Sequence, residues 1–293
     1  MNRFITIQNK KIQIKTEECI CSLTPNYYRD RSIKDQFVDI TFIVGEKCNA
    51  KCKFCCGPSE RFDLIDIRKF QEFFLECISK ISVRKITFTG GEPTLPYYFN
   101  KIQQIGTWIK SISPNTCIII NTNGSNLKAV AYQSWIDKIA LSRHHYKSSL
   151  NDSIFKCFTA DDVDTLMFAD KKKINLSCVC QKGYIDSGEE LEKYLFYASL
   201  QGISEVNVYS LIPINDYANS HFVDPNKFEF SKNIISYKSY EYPCKNVCKC
   251  TNYVYMNKYD NFQSVFFYIR NNMNYKFNKG SYIVWKNNQI DFY

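Results

Sequence analysis

Hydrophobic positions along this chain switch repeatedly between a period of two and a period near 3.6, the repeats of strands and of amphipathic helices. The opening FITIQNKKIQIK alternates apolar and polar residues around Asn9 and Lys10, which predicts a β-hairpin. From residue 38 the order becomes strand, then helix, repeated. VDITFIV (38–44) reads as a strand and IRKFQEFFLECISKI (67–81) as a helix with one apolar face. KITFTG (85–90) and YFNKIQQIGTWIKSI (98–112) repeat the pair. TCIIINTNG (116–124) is a buried strand ending in turn residues, with a short helix near 127–136 after it. DKIALS (137–142), INLSCVC (174–180) and SEVNVYSLIPI (204–214) are further strands. Two helical pieces near 149–157 and 160–170 and an amphipathic helix over 188–202 separate them, with Gly202 as the C-terminal stop.

Strands alternating with helices predict an α/β fold with a parallel sheet and right-handed crossovers, here a partial (β/α)6 TIM-like barrel. In such folds the reactive groups gather at the C-terminal ends of the strands. Past residue 215 the pattern breaks into loop. YVYMNKYDNFQSVFFYI (253–269) and SYIVWKNNQIDFY (281–293) each read as strand, turn, strand, the second turning at Asn287 and Asn288. The expected organisation is an N-terminal β-hairpin extension (1–35), an α/β core (36–215) and a small cysteine-bearing β appendage at the C-terminus (216–293).

Composition narrows the class. The 293 residues are 45% hydrophobic and 23% charged, ordinary for a globular protein. The N-terminus MNRFITIQNKKIQIK lacks an apolar h-region, so no signal peptide is expected, and no run is long and apolar enough to span a membrane. These readings give a cytoplasmic protein with no membrane partner. The formal charge of +9 suggests an anionic partner. The lysines are spread through the chain, however, so nucleic acid is left open but not favoured.

Fourteen cysteines in a reducing compartment are not expected to pair as disulfides. Cys77, Cys117 and Cys157 stand alone and read as buried thiols acting as small hydrophobes. Two clusters remain. Cys48, Cys52 and Cys55 form C-x3-C-x2-C directly after the first core strand. Thiolates are soft ligands that select zinc or iron–sulfur clusters. A closed zinc site needs four ligands, usually as two separated pairs, whereas this is one loop of three. Three ligands on a four-iron cube leave one iron open for a small molecule. Cys56 is a bystander, because adjacent side chains diverge.

The stretch CNAKCKFC (48–55) resembles the signature of the radical S-adenosylmethionine (radical SAM) enzymes. The resemblance implies a [4Fe–4S] cluster held by Cys48, Cys52 and Cys55, whose open iron chelates S-adenosylmethionine. It also implies reductive cleavage of that cofactor to a 5′-deoxyadenosyl radical, with Phe54 near the adenine. Gly90-Gly91-Glu92-Pro93, some 35 residues on, is similar to the family's GGEP element at the methionine ammonium group. NTNG (121–124) puts Asn123 at a third strand end, and ALSRHH (140–145) puts Ser142 where the family contacts the cofactor. Leu211 and Ile212, in SLIPI, are adenine-packing candidates by the same resemblance. Arg143, His144 and His145 are read as catalytic or anion-binding groups at the rim. The resemblance covers about residues 36–215.

YPCKNVCKC (242–250) carries Cys244, Cys248 and Cys250 before a predicted hairpin. It resembles the twitch or SPASM-like appendages that hold an auxiliary cluster in part of the family. The match is incomplete, since QSVFFYIR (263–270) lacks the further cysteine those hairpins carry. A second iron–sulfur cluster, zinc and a metal-free remnant are the alternatives, with substrate, solvent or a distant thiol such as Cys178 or Cys180 as the fourth ligand. The leading function is a radical SAM enzyme acting on a small-molecule or nucleotide substrate, with an electron donor such as flavodoxin or ferredoxin. A peptide maturase is one alternative, and a non-enzymatic metal-binding module contacting nucleic acid is the other. Iron counting on anaerobic protein tests the second cluster: about four irons per chain fit one cluster and about seven or eight fit two. A Cys244→Ala/Cys248→Ala variant that keeps all its iron rules the second one out.

Overall fold

The computed structural model describes residues 3–14, 37–55, 57, 64–159, 163, 166, 171–236, 251–257, 264–270 and 282–291. Strands β1 (Arg3–Ile7) and β2 (Lys10–Ile14) form the expected hairpin. Its register pairs Ile7 with Lys10, so the two turn residues are Gln8 and Asn9, one position earlier than the alternation suggested. Both have positive φ, 44° and 61°, the backbone twist that a two-residue hairpin turn demands. The hairpin seats Ile5 and Ile7 in the core. It is tied to helix α1 (Ile67–Lys80), where Glu76 accepts from the Gln8 N–H and Lys80 Nζ donates to the Thr6 carbonyl.

Six strands follow in sequential order: β3 (Phe37–Ile43), β4 (Ser82–Thr89), β5 (Cys117–Thr122), β6 (Lys138–Ser142), β7 (Ile174–Cys180) and β8 (Glu205–Ser210). Every neighbouring pair is parallel. Helices α1, α2 (Pro96–Ile112), α3 (Leu127–Ala131), α4 (Ser148–Phe155) and α5 (Gly188–Leu200) lie between them in the chain. Helix α1 is started by Asp66, whose side chain accepts from the Lys69 N–H, and α5 by Ser187, which accepts from the Glu190 N–H. Gly202, at φ 71°, ends α5 as expected. Helix α3 is shorter than its apolar pattern. The chain leaves it to place Trp135 against α2, where Gly106 makes room: a Cβ there would lie 2.1 Å from the indole.

The C-terminal strands do not stand apart from this sheet. Strands β9 (Ile234–Ser236), β10 (Thr251–Tyr255) and β11 (Val265–Arg270) join one edge, with β11 parallel to β8 and β10 antiparallel between β11 and β9. Strands β12 (Tyr282–Lys286) and β13 (Gln289–Asp291) join the other, β12 parallel to β3. Both predicted hairpins are present, the second turning at Asn287 and Asn288 with φ 49° and 57°. The result is an open sheet of eleven strands, eight of them consecutive and parallel. The predicted helix near 160–170 and the cysteines at 244, 248 and 250 fall almost wholly or wholly outside the described residues.

Burial alternates strictly along β6 and β7 and, from Val206 on, along β8. Ile139, Leu141, Leu176, Cys178, Val206 and Val208 form the covered face, fully part of the core. The opposite face, half-buried, carries Ser142, Asn175, Ser177, Asn207 and Tyr209, and continues as Thr87 and Thr89 on β4 and Asn121 on β5. One side of the sheet is thus apolar under helices, and the other is half-buried and mixes these polar side chains with Ile43, Ile119, Ala140 and Val179. Trp285 of β12 stacks on Phe73 of α1, with ring centres 4.7 Å apart, beside Phe70 and Phe42. Trp285→Ala is expected to destabilise the fold by about 3–5 kcal/mol. The exposed Ile235→Thr should stay within about 0.5 kcal/mol, both read by chemical denaturation.

Candidate functional site: three loops at the C-terminal strand ends

The first loop leaves β3 at Val44, whose N–H still bonds to the Thr89 carbonyl of β4. Gly45 follows at φ 149°, and a Cβ there would fall 2.3 Å from the Tyr98 hydroxyl. That hydroxyl accepts from the Lys47 N–H, so α2 sets the start of the cysteine loop. Cys48 and Cys55 are exposed and Cys52 is half-buried. Backbone N–H groups aim at two of the sulfurs: Ala50 N lies 3.3 Å from Cys48 Sγ, and Gly57 N lies 3.2 Å from Cys55 Sγ. Such donors favour thiolates. Burial first, then the neighbouring Cys55, Cys48 and Cys157 thiols, pushes Cys52 up to about 12. Among the described residues no group of three or more His, Cys, Asp or Glu side chains is arranged to grip a metal ion.

The second loop is Gly90 to Thr94. Gly90 has φ 121°, and Gly91 lies directly under the cysteine loop, where a Cβ would meet the Lys47 carbonyl oxygen at 2.0 Å. Two backbone bonds join the loops, Gly91 N to Gly45 O at 2.7 Å and Glu92 N to Lys47 O at 2.9 Å. Glu92 is 2% exposed. Its Oε1 accepts from Thr94 N, Thr94 Oγ1 and Thr122 Oγ1 at 3.0, 2.7 and 2.7 Å, and its Oε2 from Asn123 N at 2.7 Å. Burial raises its carboxyl above the usual range, opposed by these bonds. Pro93 is buried behind it.

The third loop, Asn123 to Asn126, closes the set. Asn123 Nδ2 donates to Asn49 Oδ1 at 2.8 Å, and Asn49 Nδ2 donates to Ser125 Oγ at 2.9 Å. Asn126 Nδ2 returns to the Thr94 carbonyl. Two further ties hold the cysteine loop from the far side of the sheet. Lys51 N–H donates to the Phe155 carbonyl at 2.8 Å, and Asn215 Nδ2 donates to the Lys53 carbonyl at 3.0 Å. Three thiols on a backbone held by α2, the second and third loops, α4 and the segment after β8 form a donor set suited to an iron–sulfur cluster rather than to a closed single-ion cage.

Residues 42–152 match the Radical SAM superfamily. The chain carries a radical SAM domain. A curated relative, the S-adenosylmethionine-dependent nucleotide dehydratase of Flammeovirga pacifica, is 34% identical over 122 residues, 38% of this chain and 40% of that protein. The GTP 3′,8-cyclase of Aquifex aeolicus is 25% identical over 168 residues, 53% of this chain and 51% of the relative. The chain thus spans about half or less of these relatives. Among solved structures, Streptococcus suis SuiB bound to S-adenosylmethionine superposes with a TM-score of 0.51 at 17% identity, covering 67% of this chain and 44% of that one. That likeness concerns the fold alone. The radical SAM family implies a [4Fe–4S] cluster and S-adenosylmethionine.

The radical SAM domain distributes the remaining sequence candidates unevenly. Phe54 is half-buried and meets the His144 ring edge-on at 5.3 Å, and His144 stacks on Phe155 at 4.8 Å. Ser142 lies on the half-buried face, in register with Ser177. Leu211 is buried, whereas Ile212 is 43% exposed. Arg143 is buried on the covered side: its Nη2 donates to the Tyr146 carbonyl and to Ser148 Oγ, and its guanidinium lies over the Tyr197 ring. Its own carbonyl accepts from the Tyr194 hydroxyl. His145 packs on Tyr146, and its Nδ1 accepts from the Lys147 N–H. Cys178 and Cys180 are fully buried. Cys77 and Cys117 are core thiols as expected, but Cys157 is half-buried and within electrostatic reach of Cys52. Asn49, Tyr98 and Asn215 escaped the sequence reading; Asn49 stood inside the motif, while the other two gave no local signal.

His144 Nδ1 accepts from the Val179 N–H at 3.1 Å, and burial pushes the imidazole down to about 3. The ring is neutral at pH 7, which leaves it a wall and hydrogen-bond acceptor rather than a cation. Its folded pKa is depressed, so the stability it contributes is present above the unfolded value near 6.5 and lost as pH falls towards 3. The apoprotein should lose up to about 1.4 kcal/mol per pH unit across that window from this group. His144→Asn, which keeps an acceptor but cannot titrate, should flatten the curve in urea unfolding; an unchanged slope assigns the effect elsewhere.

Proposed function

We propose that this chain is a radical SAM enzyme in which Cys48, Cys52 and Cys55 hold a [4Fe–4S] cluster. When bound, the cluster supplies an electron that cleaves S-adenosylmethionine to a 5′-deoxyadenosyl radical. The observation that carries the reading is the locking of the cysteine loop onto the GGEP and TNG loops at the ends of three adjacent parallel strands. Gly91 lets the two backbones close, and Glu92 fixes the second loop to the third. Oε2 of Glu92 accepts from only Asn123 N among the described residues, which leaves that oxygen capacity for a further donor such as an ammonium group. Phe54 and His144 form an aromatic corner beside the thiols. A low-potential one-electron donor of the flavodoxin or ferredoxin kind is the partner this chemistry requires.

The substrate we infer is a polar small molecule of nucleotide type. Thr87, Ser142, Asn175 and Ser177 on the half-buried face make no side-chain hydrogen bond among the described residues. A row of neutral donors and acceptors suits sugar hydroxyls and base edges better than apolar side chains. Relatives named for nucleotide and GTP substrates support the same class. Reconstituted protein given dithionite and S-adenosylmethionine should form 5′-deoxyadenosine, and a Cys48→Ala/Cys52→Ala/Cys55→Ala variant should form none. Iron-loaded wild type that leaves the cofactor intact, with or without nucleoside triphosphates, supports a non-enzymatic metal module instead.

A further inference from the structure

Cys157 is isolated in the sequence, yet the fold carries it to the cysteine loop. Helix α4 ends at Phe155, whose carbonyl holds the Lys51 N–H at 2.8 Å, and Lys156 turns the chain with φ 54°. The following residue is thereby brought to the loop that carries Cys52. Its thiol is half-buried and lies within electrostatic reach of Cys48, Cys52 and Glu92. No hydrogen bond from any described residue engages it. Cys77 and Cys117, by contrast, are packed into apolar surroundings and reach no other cysteine. Four thiols therefore share one loop environment, one more than the motif accounts for.

We propose that Cys157 belongs to the cluster site and supplies a displaceable fourth thiolate in the absence of S-adenosylmethionine. This rests on the reading of Cys48, Cys52 and Cys55 as ligands, which leave one iron without a protein donor. A thiolate is the soft ligand iron–sulfur clusters take in preference to water. Binding releases the Cys157 proton to solvent. Displacement by the amino and carboxylate groups of S-adenosylmethionine frees the thiolate, which takes a proton back; no electron is exchanged. The consequence is a cofactor that binds against an internal competitor, and an open iron shielded from foreign ligands when the cofactor is away.

Wild type, Cys157→Ser and Cys157→Ala are reconstituted anaerobically, and reduced-cluster electron paramagnetic resonance spectra are recorded before and during titration with S-adenosylmethionine. All three are expected to hold about four irons in the radical SAM site. Without the cofactor the alanine variant should differ from wild type, and the two spectra should converge at saturation. Its apparent affinity for S-adenosylmethionine should be several-fold tighter. Matching cofactor-free spectra and equal affinities in iron-loaded proteins overturn the proposal while leaving the cluster itself intact. Loss of iron in a folded Cys157→Ala variant makes the thiol obligatory and overturns its displaceable character. Failure of wild type to take up iron defeats the underlying reading as well.

Discussion

The Glu92 carboxylate is taken out of water and surrounded by four donors from two loops. A buried carboxylate is costly unless its oxygens are satisfied, and each unsatisfied donor left behind costs on the order of 1–3 kcal/mol. The four bonds therefore act as a set: the Thr122 hydroxyl, the Asn123 amide and both donors of Thr94 must be in place together. The same residue's N–H reaches up to the Lys47 carbonyl, and Gly91 beside it leaves the space that this contact needs. The cysteine loop consequently inherits its position from a carboxyl group buried beneath it.

That loop has little apolar surface of its own to hold it. Its shape is imposed by hydrogen bonds with Tyr98 and Phe155, which accept from loop N–H groups, and with Asn123 and Asn215, which donate to it; these residues come from α2, α4, the third loop and the segment after β8. A site held from several rigid elements keeps its geometry without a ligand to organise it. The aromatic corner of Phe54, His144 and Phe155 adds a dry wall on the α4 side. Two asparagines, Asn123 and Asn151, play parallel roles. Asn123 ties the first and third loops, and Asn151 Oδ1 gathers the N–H groups of both His144 and His145.

The alternation of periods revealed the six core strands and most of their helices, because each is amphipathic or fully buried and long enough to show it. The cysteine spacing and the glycine-rich element marked the site for a related reason, since their chemistry is local in sequence. What escaped depends on tertiary partners. Arg143, His144 and His145 are consecutive, so a rim position suggested one shared role. Strand alternation instead sends Arg143 to the covered face and His144 towards Phe54, and burial keeps the latter neutral. Cys157 resembled other solitary cysteines until the α4 terminus was placed against Lys51. The hairpins after residue 250 were visible as hairpins, but nothing in an isolated strand pair says which sheet edge it will join.

Those edge pairings carry a temporal meaning. Strand β3, which launches the cysteine loop, takes its outer neighbour β12 from residues 282–286, and β8 takes β11 from residues 265–270. A chain emerging in order would have its central six strands long before either cover. During that interval both flanks of the parallel sheet present unpaired backbone to other molecules, a state prone to misassociation. Contacts of such sequence separation also form slowly, because a long loop must close before they are made. Maturation of the cysteine loop and completion of the sheet are thus linked in time, with residues 282–286, made long after the thiols, sealing the strand from which those thiols hang.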